Sequence, residues 1–448
     1  KRNTRVYPRN KIVMKKRIMV DMSATLIHHG HVRLLKRASE LGSVIVGLTT
    51  DQEIIDKKKY KPELSFKHRE EILRSIKYVS DVVPTPWLID KNVINEHKID
   101  ILIHGDDNSN HINKENLVIT PRTKGISSSD LRFYAQRAIT EKNNQKLMLT
   151  PGPATVLHEN IQNIKPLFGR GDDEYTKMAE HVLEWVKSLC GQDRVIMAQG
   201  SSTFALELAA HSFVRGKVLL ISTGYYSDRL ELLLPEGCDL TKVKYEDISN
   251  LNENYDWVLC AYTETSIAFK IDIKKIRSLA DKCGARLYLD ATGSIGLEDY
   301  HDLADLMAFS SCKGLFGLTG ACFLAFKEEL EVKSPKHFYF NIETHINKMV
   351  TGPYHAIASL YGVMPMHNIL RERVSKSKTA VIKKWKDIVR KENQPLLCTY
   401  IEGEVIPNDK KIVLYKPRSK LTGSVICHFG EIFHDKLEIL GRITVKAN

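Results

Sequence analysis

The sequence predicts an α/β protein made of two doubly wound units, the second carrying a small α+β lobe at its end. Three observations carry this. The chain has 448 residues, two to three times the usual length of a single domain. Short apolar runs alternate with segments of helical spacing, the signature of a parallel sheet with helices on both faces. That alternation occurs in two blocks, separated by the polar run Glu141 to Lys146, which reads as a linker.

In the first block, Ile18-Met19-Val20, Val44 to Leu48, Val79 to Val83, Ile99 to His104 and Leu117-Val118-Ile119 read as buried strands. His31 to Leu41 and Lys67 to Tyr78 place apolar residues on one helical face. In the second block the strands are Val195-Ile196-Met197, Val218 to Ile221, Trp257-Val258-Leu259, Leu287-Tyr288-Leu289, Leu306 to Phe309 and Cys322-Phe323-Leu324. A long basic helix is expected over Lys376 to Lys391. The expected boundaries are a basic tail at 1–16, a first domain at 17–140, a linker at 141–146, a large domain at 147–370 and a small lobe at 371–448.

Apolar residues make up 43% and charged residues 27% of the chain, a balance that excludes a largely disordered protein. No apolar stretch reaches the length of a membrane span. Residues 1–17 lack the apolar core of a secretion signal. The eight cysteines form no CxxC pair, which fits reduced thiols and a cytoplasmic location. The formal charge is +12, and eight basic residues with no acidic one fall within residues 1–17. A solvated tail is the expectation; no stacking-aromatic pattern accompanies it, so neither nucleic acid nor membrane is an expected partner.

His28-His29-Gly30-His31 follows the first strand and opens the first helix. Such a turn aims backbone N–H groups and the positive end of a helix dipole at one point, with two imidazoles beside it, which suits an oligophosphate. A metal pair or surface histidines are the alternatives. Pro121 to Ser129 (PRTKGISSS) follows the last strand of the block. Its guanidinium and hydroxyls again suit phosphate, while a plain capping loop is the alternative reading.

These motifs, with Phe66-Lys67-His68-Arg69 and His104-Gly105-Asp106-Asp107 in the same order, resemble the glycerol-3-phosphate cytidylyltransferase family of Rossmann-like nucleotidyltransferases. The resemblance implies CTP and a phosphorylated or phosphonate small molecule as substrates, with Mg²⁺, and pyrophosphate as a product. It assigns His28, His31, Lys61, Arg69, Asp106, Arg122, Ser127 and Ser128 to nucleotide and substrate. The chain departs from the family's GTFD stretch, reading Met22-Ser23-Ala24-Thr25, so a glycine and a carboxylate are missing.

In the second block Gln199-Gly200-Ser201-Ser202-Thr203 follows a strand and precedes an apolar helix, which suits a phosphate monoester or an ordinary N-cap. Asp290 ends one strand, and Lys313 follows the next in Ser310-Ser311-Cys312-Lys313-Gly314. A carboxylate to hold a ring nitrogen, a phosphate cup and an amine make Lys313 a Schiff-base candidate. A lysine at a strand end is more often simply solvated.

With Leu149 to Pro153, Tyr226 to Arg229, Glu264-Thr265-Ser266 and Thr351 to His355, this block resembles the class V aminotransferases of the fold type I family that use pyridoxal phosphate (PLP), among them 2-aminoethylphosphonate–pyruvate transaminase. The resemblance implies PLP bound through Lys313, with Asp290 on the ring nitrogen. It also implies Gly200, Ser201, Ser202 and Thr203 at the phosphate, Tyr226 and Thr265 at the ring, and an amino donor. Thr351 would reach a neighbouring subunit's cofactor, implying a homodimer. The family's arginine in an FRIGNIGE-like stretch is absent from Ser424 to Glu431; Arg418, Lys420 and Arg229 are the candidates to replace it. Together the resemblances imply a bifunctional enzyme that makes 2-aminoethylphosphonate from phosphonoacetaldehyde and couples it to CMP for surface glycan or lipid decoration. The alternatives are the same chemistry on a small keto phosphate such as dihydroxyacetone phosphate, or one inactive domain serving as a scaffold.

Overall fold

The computed structural model describes residues 15–106, 108–123, 125–143, 146–333, 337–390, 392–428 and 436–446. Most of the basic tail, Asp107, Lys124, Asn144-Gln145 and Phe429-Gly430-Glu431 lie outside them. The chain divides into two compact units, Lys1–Ile139 and Thr140–Asn448. Among the described residues no helix is long and apolar enough to cross a membrane.

The first unit runs β1 (Arg17–Met22), α1 (His29–Ser39), β2 (Ser43–Thr49), α2 (Asp51–Lys58), α3 (Phe66–Arg74), β3 (Asp81–Thr85), α4 (Lys91–Glu96), β4 (Ile101–Gly105), β5 (Leu117–Thr120) and α5 (Ser128–Asn143). Its five strands are parallel in the order β3-β2-β1-β4-β5. The order reverses between β1 and β4, the place where such sheets open a crevice at the strands' carboxyl ends. Ile18, Val20, Val44, Val46 and Ile103 pack one face of the sheet with Leu35 and Ala38 of α1. The strands match the sequence reading, but α2 and α4 do not appear in it. They bury one residue and none, respectively, so no apolar stripe announces them. The start of the polar run 141–146 is helical, because α5 continues to Asn143.

Arg69, expected at the substrate, is a buried brace instead. With 0% exposure, it donates to the carbonyls of Ser23 at 2.5 Å, Thr49 at 3.0 Å and Leu64 at 3.2 Å, and pairs with Asp51 at 2.6 Å. It thereby pins the loop after β1, which carries the site, to the end of β2. Arg69→Met leaves those acceptors unmatched inside the fold and lowers the stability of this unit by about 3 kcal/mol, read as a shift of its denaturation midpoint.

The second unit is built on a seven-stranded sheet. In spatial order its strands are Arg194–Gln199, Ala321–Phe326, Leu306–Ser310, Arg286–Asp290, Trp257–Ala261, Lys217–Ser222 and Asp239–Lys244. Ala321–Phe326 runs antiparallel to both neighbours, and the other pairs are parallel. Five of the strands are near-continuous apolar runs, as expected for a sheet covered on both faces. The edge strand Asp239–Lys244 (DLTKVK) is absent from the sequence reading because half of its residues are exposed and its polar composition hides it. The basic helix spans His367–Lys384, earlier than the expected 376–391. Its buried residues His367, Leu370, Val374 and Val381 set the helix, whereas past Trp385 the buried Val389 bridges to Ile401 instead.

Candidate active sites

In the first unit the loop after β1, the start of α1, the ends of β4 and β5 and the start of α5 surround a cavity of about 350 Å³. His28 is the N-cap of α1: the Gly30 N–H donates to its Nδ1 at 3.2 Å, and the His28 N–H donates to Nδ1 of His31 at 3.3 Å. The two rings stand 4.0 Å apart between centroids. A Cβ at Gly30 would lie 2.9 Å from the His28 ring, so only glycine admits this fold-back. Because each Nδ1 accepts a backbone N–H, each neutral ring carries its proton on Nε2, ready to donate.

Neutrality is enforced by the surroundings. Burial, then His28, Arg122 and Lys58, lower the His31 pKa from 6.5 to about 4, and burial, His29 and Arg122 lower that of His28. Since the folded value of His31 lies below the unfolded one, its contribution to stability is present above pH 6.5. It is lost as the pH falls toward 4. A triphosphate reverses the balance by favouring the imidazolium. CTP binding at pH 5.5 therefore takes up protons, and uptake fades by pH 8. Calorimetry in buffers of different ionisation enthalpy measures it.

Arg122, Ser127 and Ser128 line the same cavity. Ser127 Oγ accepts from the Asp130 N–H at 3.0 Å, capping α5, and Ser128 Oγ donates to the Leu26 carbonyl at 3.1 Å. The capping reading of this serine run thus holds alongside its place at the cavity. Lys61 and Asp106 are exposed and stand apart from the lining, so the structure does not gather them here. Thr25, at the missing carboxylate, is buried and accepts from Arg132 at 3.0 Å; Arg132 is paired with Glu63 and lies over the Tyr60 ring. Glu63 thus neutralises the guanidinium that a carboxylate at position 25 would meet.

Sequence reasoning also missed Asp21. At the end of β1, its Oδ2 accepts from Asn110 Nδ2 at 2.9 Å and lies 3.4 Å from His104 Nε2. Among the described lining residues, which include Arg33, Arg37, Lys58, Arg122 and Arg132, it is the one carboxylate. The signal was present: Asp21 closes an otherwise apolar strand, where a charge is out of place unless used.

In the second unit the helix Ser202–Phe213 begins at the cup Gly200 to Thr203, with Ser201 as N-cap accepting from Phe204 N–H at 3.4 Å. Arg229 joins this cup to the strand end: it donates to Thr203 Oγ1 at 3.2 Å and lies 3.5 Å from Asp290 Oδ2. Asp290 is 4% exposed, and its other oxygen accepts the Thr292 N–H at 2.9 Å. The Tyr226 ring stands between two cations, 5.3 Å from the Arg229 guanidinium and 5.8 Å from Lys313 Nζ. Gly152 lets the lysine pass, since a Cβ there would sit 3.0 Å from Lys313 Cγ. Thr265 is buried beside Tyr415, whose phenol is raised by burial and by Tyr226.

This set fits PLP. A helix start faces the phosphate position, a buried carboxylate awaits a ring N–H, and an amine stands beside an aromatic ring. Arg229 Nε is buried with no acceptor among the described residues, a donor left for the cofactor. Thr351 is not with them. It lines a separate cavity of about 380 Å³ beside the edge strand Arg194–Gln199, with Tyr175 and Tyr354.

Residues 23–133 match the cytidylyltransferase-like family, and the chain belongs to that family through its first unit. It is 35% identical over 123 residues to glycerol-3-phosphate cytidylyltransferase of Bacillus subtilis, covering 26% of this chain and 95% of the relative. The second unit is similar to 2-aminoethylphosphonate–pyruvate transaminase of Pseudomonas fluorescens, 26% identical over 256 residues, or 50% of this chain and 68% of the relative. It shares its fold with an aspartate aminotransferase of Thermus thermophilus, at a TM-score of 0.57, with 19% identity and coverage of 66% of this chain and 96% of the other. The chain is thus a bifunctional enzyme, a cytidylyltransferase joined to an aminotransferase-like part, and its aminotransferase relatives imply PLP.

Proposed function

We propose that the second unit transfers an amino group from an amino donor to phosphonoacetaldehyde, giving 2-aminoethylphosphonate, and that the first unit couples this product to CTP. A phosphonate oxygen attacks the α-phosphorus, the bond to the β-phosphate oxygen breaks, and CMP-2-aminoethylphosphonate and pyrophosphate leave. The product is an activated headgroup for a glycan or lipid. The observation that carries the reading is Asp21: the one carboxylate among the described lining residues, held by Asn110 and His104 within a cationic cavity, suits an acceptor whose far end is an ammonium. Transamination creates that ammonium, so the order of the two reactions follows.

In the first unit the residues orient and neutralise. Arg122, the start of α1 and the Nε2–H donors of His28 and His31 hold the triphosphate and stabilise charge on the departing pyrophosphate, with Mg²⁺ entering alongside CTP. In the second, PLP when bound supplies the electron sink that makes the carbon–nitrogen exchange reversible. Gly200 to Thr203 would hold its phosphate and Asp290 its ring nitrogen. Tyr226 would cover the ring, and Lys313 would carry the aldehyde and move the proton at the substrate carbon. Thr351 lines a cavity away from that cluster, consistent with a role toward a second copy in a homodimer.

The test is mass spectrometry of products from the protein with PLP, CTP, Mg²⁺, an amino donor and either phosphonoacetaldehyde or dihydroxyacetone phosphate. The CMP-phosphonate is expected from the first. Conversion of the keto phosphate alone would transfer the assignment to a serinol phosphate and its CDP derivative. That second reading draws on the stretch Ser424–Cys427, which carries no arginine and whose Val425 is buried.

A further inference from the structure

The aminotransferase-like site needs a cation for the anionic end of its substrates. The strand Ser424–Cys427 offers none: it carries no basic residue, Val425 is 2% exposed, and the strand pairs with Cys398–Ile401. Three cations face the ring pair Tyr225–Tyr226, whose centroids are 5.3 Å apart. Lys313 is reserved for the aldehyde. Arg229 is tied to Thr203 and Asp290. Arg418 remains, and no carboxylate of the described residues pairs with it. Lys420, the other candidate, is exposed as Arg418 is, but no described contact ties it to the aromatic pair, whereas Arg418 bonds to Tyr225.

Arg418 lies on the segment between the strands Ile412–Leu414 and Ser424–Cys427. Its Nη1 donates to the Tyr225 hydroxyl at 2.6 Å, and its guanidinium lies 5.0 Å from that ring's centroid. On either side, Tyr415 is packed toward Tyr226 and Thr265, and Ser419 Oγ donates to Ser266 Oγ at 2.9 Å. The guanidinium is thus oriented by a neutral phenol with its charge unspent, at the open side of the ring pair whose inner member, Tyr226, faces Lys313.

We infer that Arg418 is the specificity-determining anchor for the substrate's anionic group, oriented by Tyr225. It takes the phosphonate of the carbonyl substrate and the carboxylate of the amino donor in turn. A planar fork with parallel donors fits both oxyanions, and a lysine at the same place would supply charge without the fork. The inference rests on the aminotransferase reading of the second unit.

The experiment uses the full chain with PLP and compares the parent protein with Arg418→Met, Arg418→Lys and Tyr225→Phe. Steady-state rates are measured for the anionic carbonyl substrate, for the amino donor and for propionaldehyde, which carries no anion. Methylphosphonate binding, read by calorimetry without CTP or Mg²⁺ as the difference between the parent protein and Arg418→Met, gives a measure that does not depend on turnover. Arg418→Met is expected to raise KM for the anionic carbonyl and the donor at least tenfold with kcat little changed. It should weaken methylphosphonate by a similar factor and leave propionaldehyde within twofold. Arg418→Lys should recover part of the loss, and Tyr225→Phe should cost about threefold. Equal losses on charged and uncharged carbonyls, or unchanged methylphosphonate affinity, overturn the inference. If the parent protein uses an anionic carbonyl other than phosphonoacetaldehyde, the substrate proposal fails while the same comparison on that compound still decides the role of Arg418.

Discussion

Lys313→Ala is expected to abolish amine formation, by at least about 10³-fold, since on the proposed assignment it removes both the covalent hold on the cofactor and the group that moves the proton. The cytidylyl half, a separate compact unit, keeps its turnover within twofold. Amino-donor consumption and pyrophosphate release, assayed on one preparation, separate the two effects. Its visible absorbance should also change, because PLP would be held only by its phosphate and ring contacts. A small loss of amine formation would show that Lys313, although beside Tyr226, is not the reacting amine.

The mirror experiment replaces His28 and His31 singly with alanine. Each removes one neutral Nε2–H donor from the cavity proposed for the triphosphate, and His28→Ala also removes the cap of α1. Loss of one preorganised donor to a developing charge costs about 10²–10³ in rate; pyrophosphate release should fall by that factor with amine formation intact. Because the two rings stand 4.0 Å apart between centroids and His28 helps lower the His31 pKa, the double variant should lose less than the product of the single losses. Denaturation curves of the single variants keep a folding defect apart from a chemical one. Full additivity would mean that the imidazoles act independently.

Much of this architecture could be read from the chain because buried parallel strands are written as apolar runs, and the anion cups follow them at glycines, serines and histidines. What escaped has physical reasons. The helices α2 and α4 bury almost nothing, and the edge strand Asp239–Lys244 is half solvated; neither leaves a periodic pattern. Arg69 sat in a motif that invited a substrate role, yet its burial shows that a family arginine can serve the scaffold. Asp21 and Glu63 were invisible as site residues because their partners, Asn110 and Arg132, are 89 and 69 positions away. Only the fold brings them together. Arg418 was one of three candidates by sequence, and the phenol of Tyr225, 193 residues distant, distinguishes it.

One buried carboxylate has a bearing on how ligands come and go. Glu264, 1% exposed, accepts the N–H groups of Tyr226 at 2.9 Å and Ser227 at 3.2 Å together with the Ser266 hydroxyl. The backbone beneath the Tyr226 ring is thereby riveted to the sheet and makes a poor gate. The opposing stretch from Tyr415 to Ser419 grips by Arg418–Tyr225 and Ser419–Ser266, polar contacts worth about 1 kcal/mol each. Opening of the ring face would therefore break the two contacts of the stretch Tyr415 to Ser419 before it disturbed the backbone that Glu264 fixes beneath Tyr226.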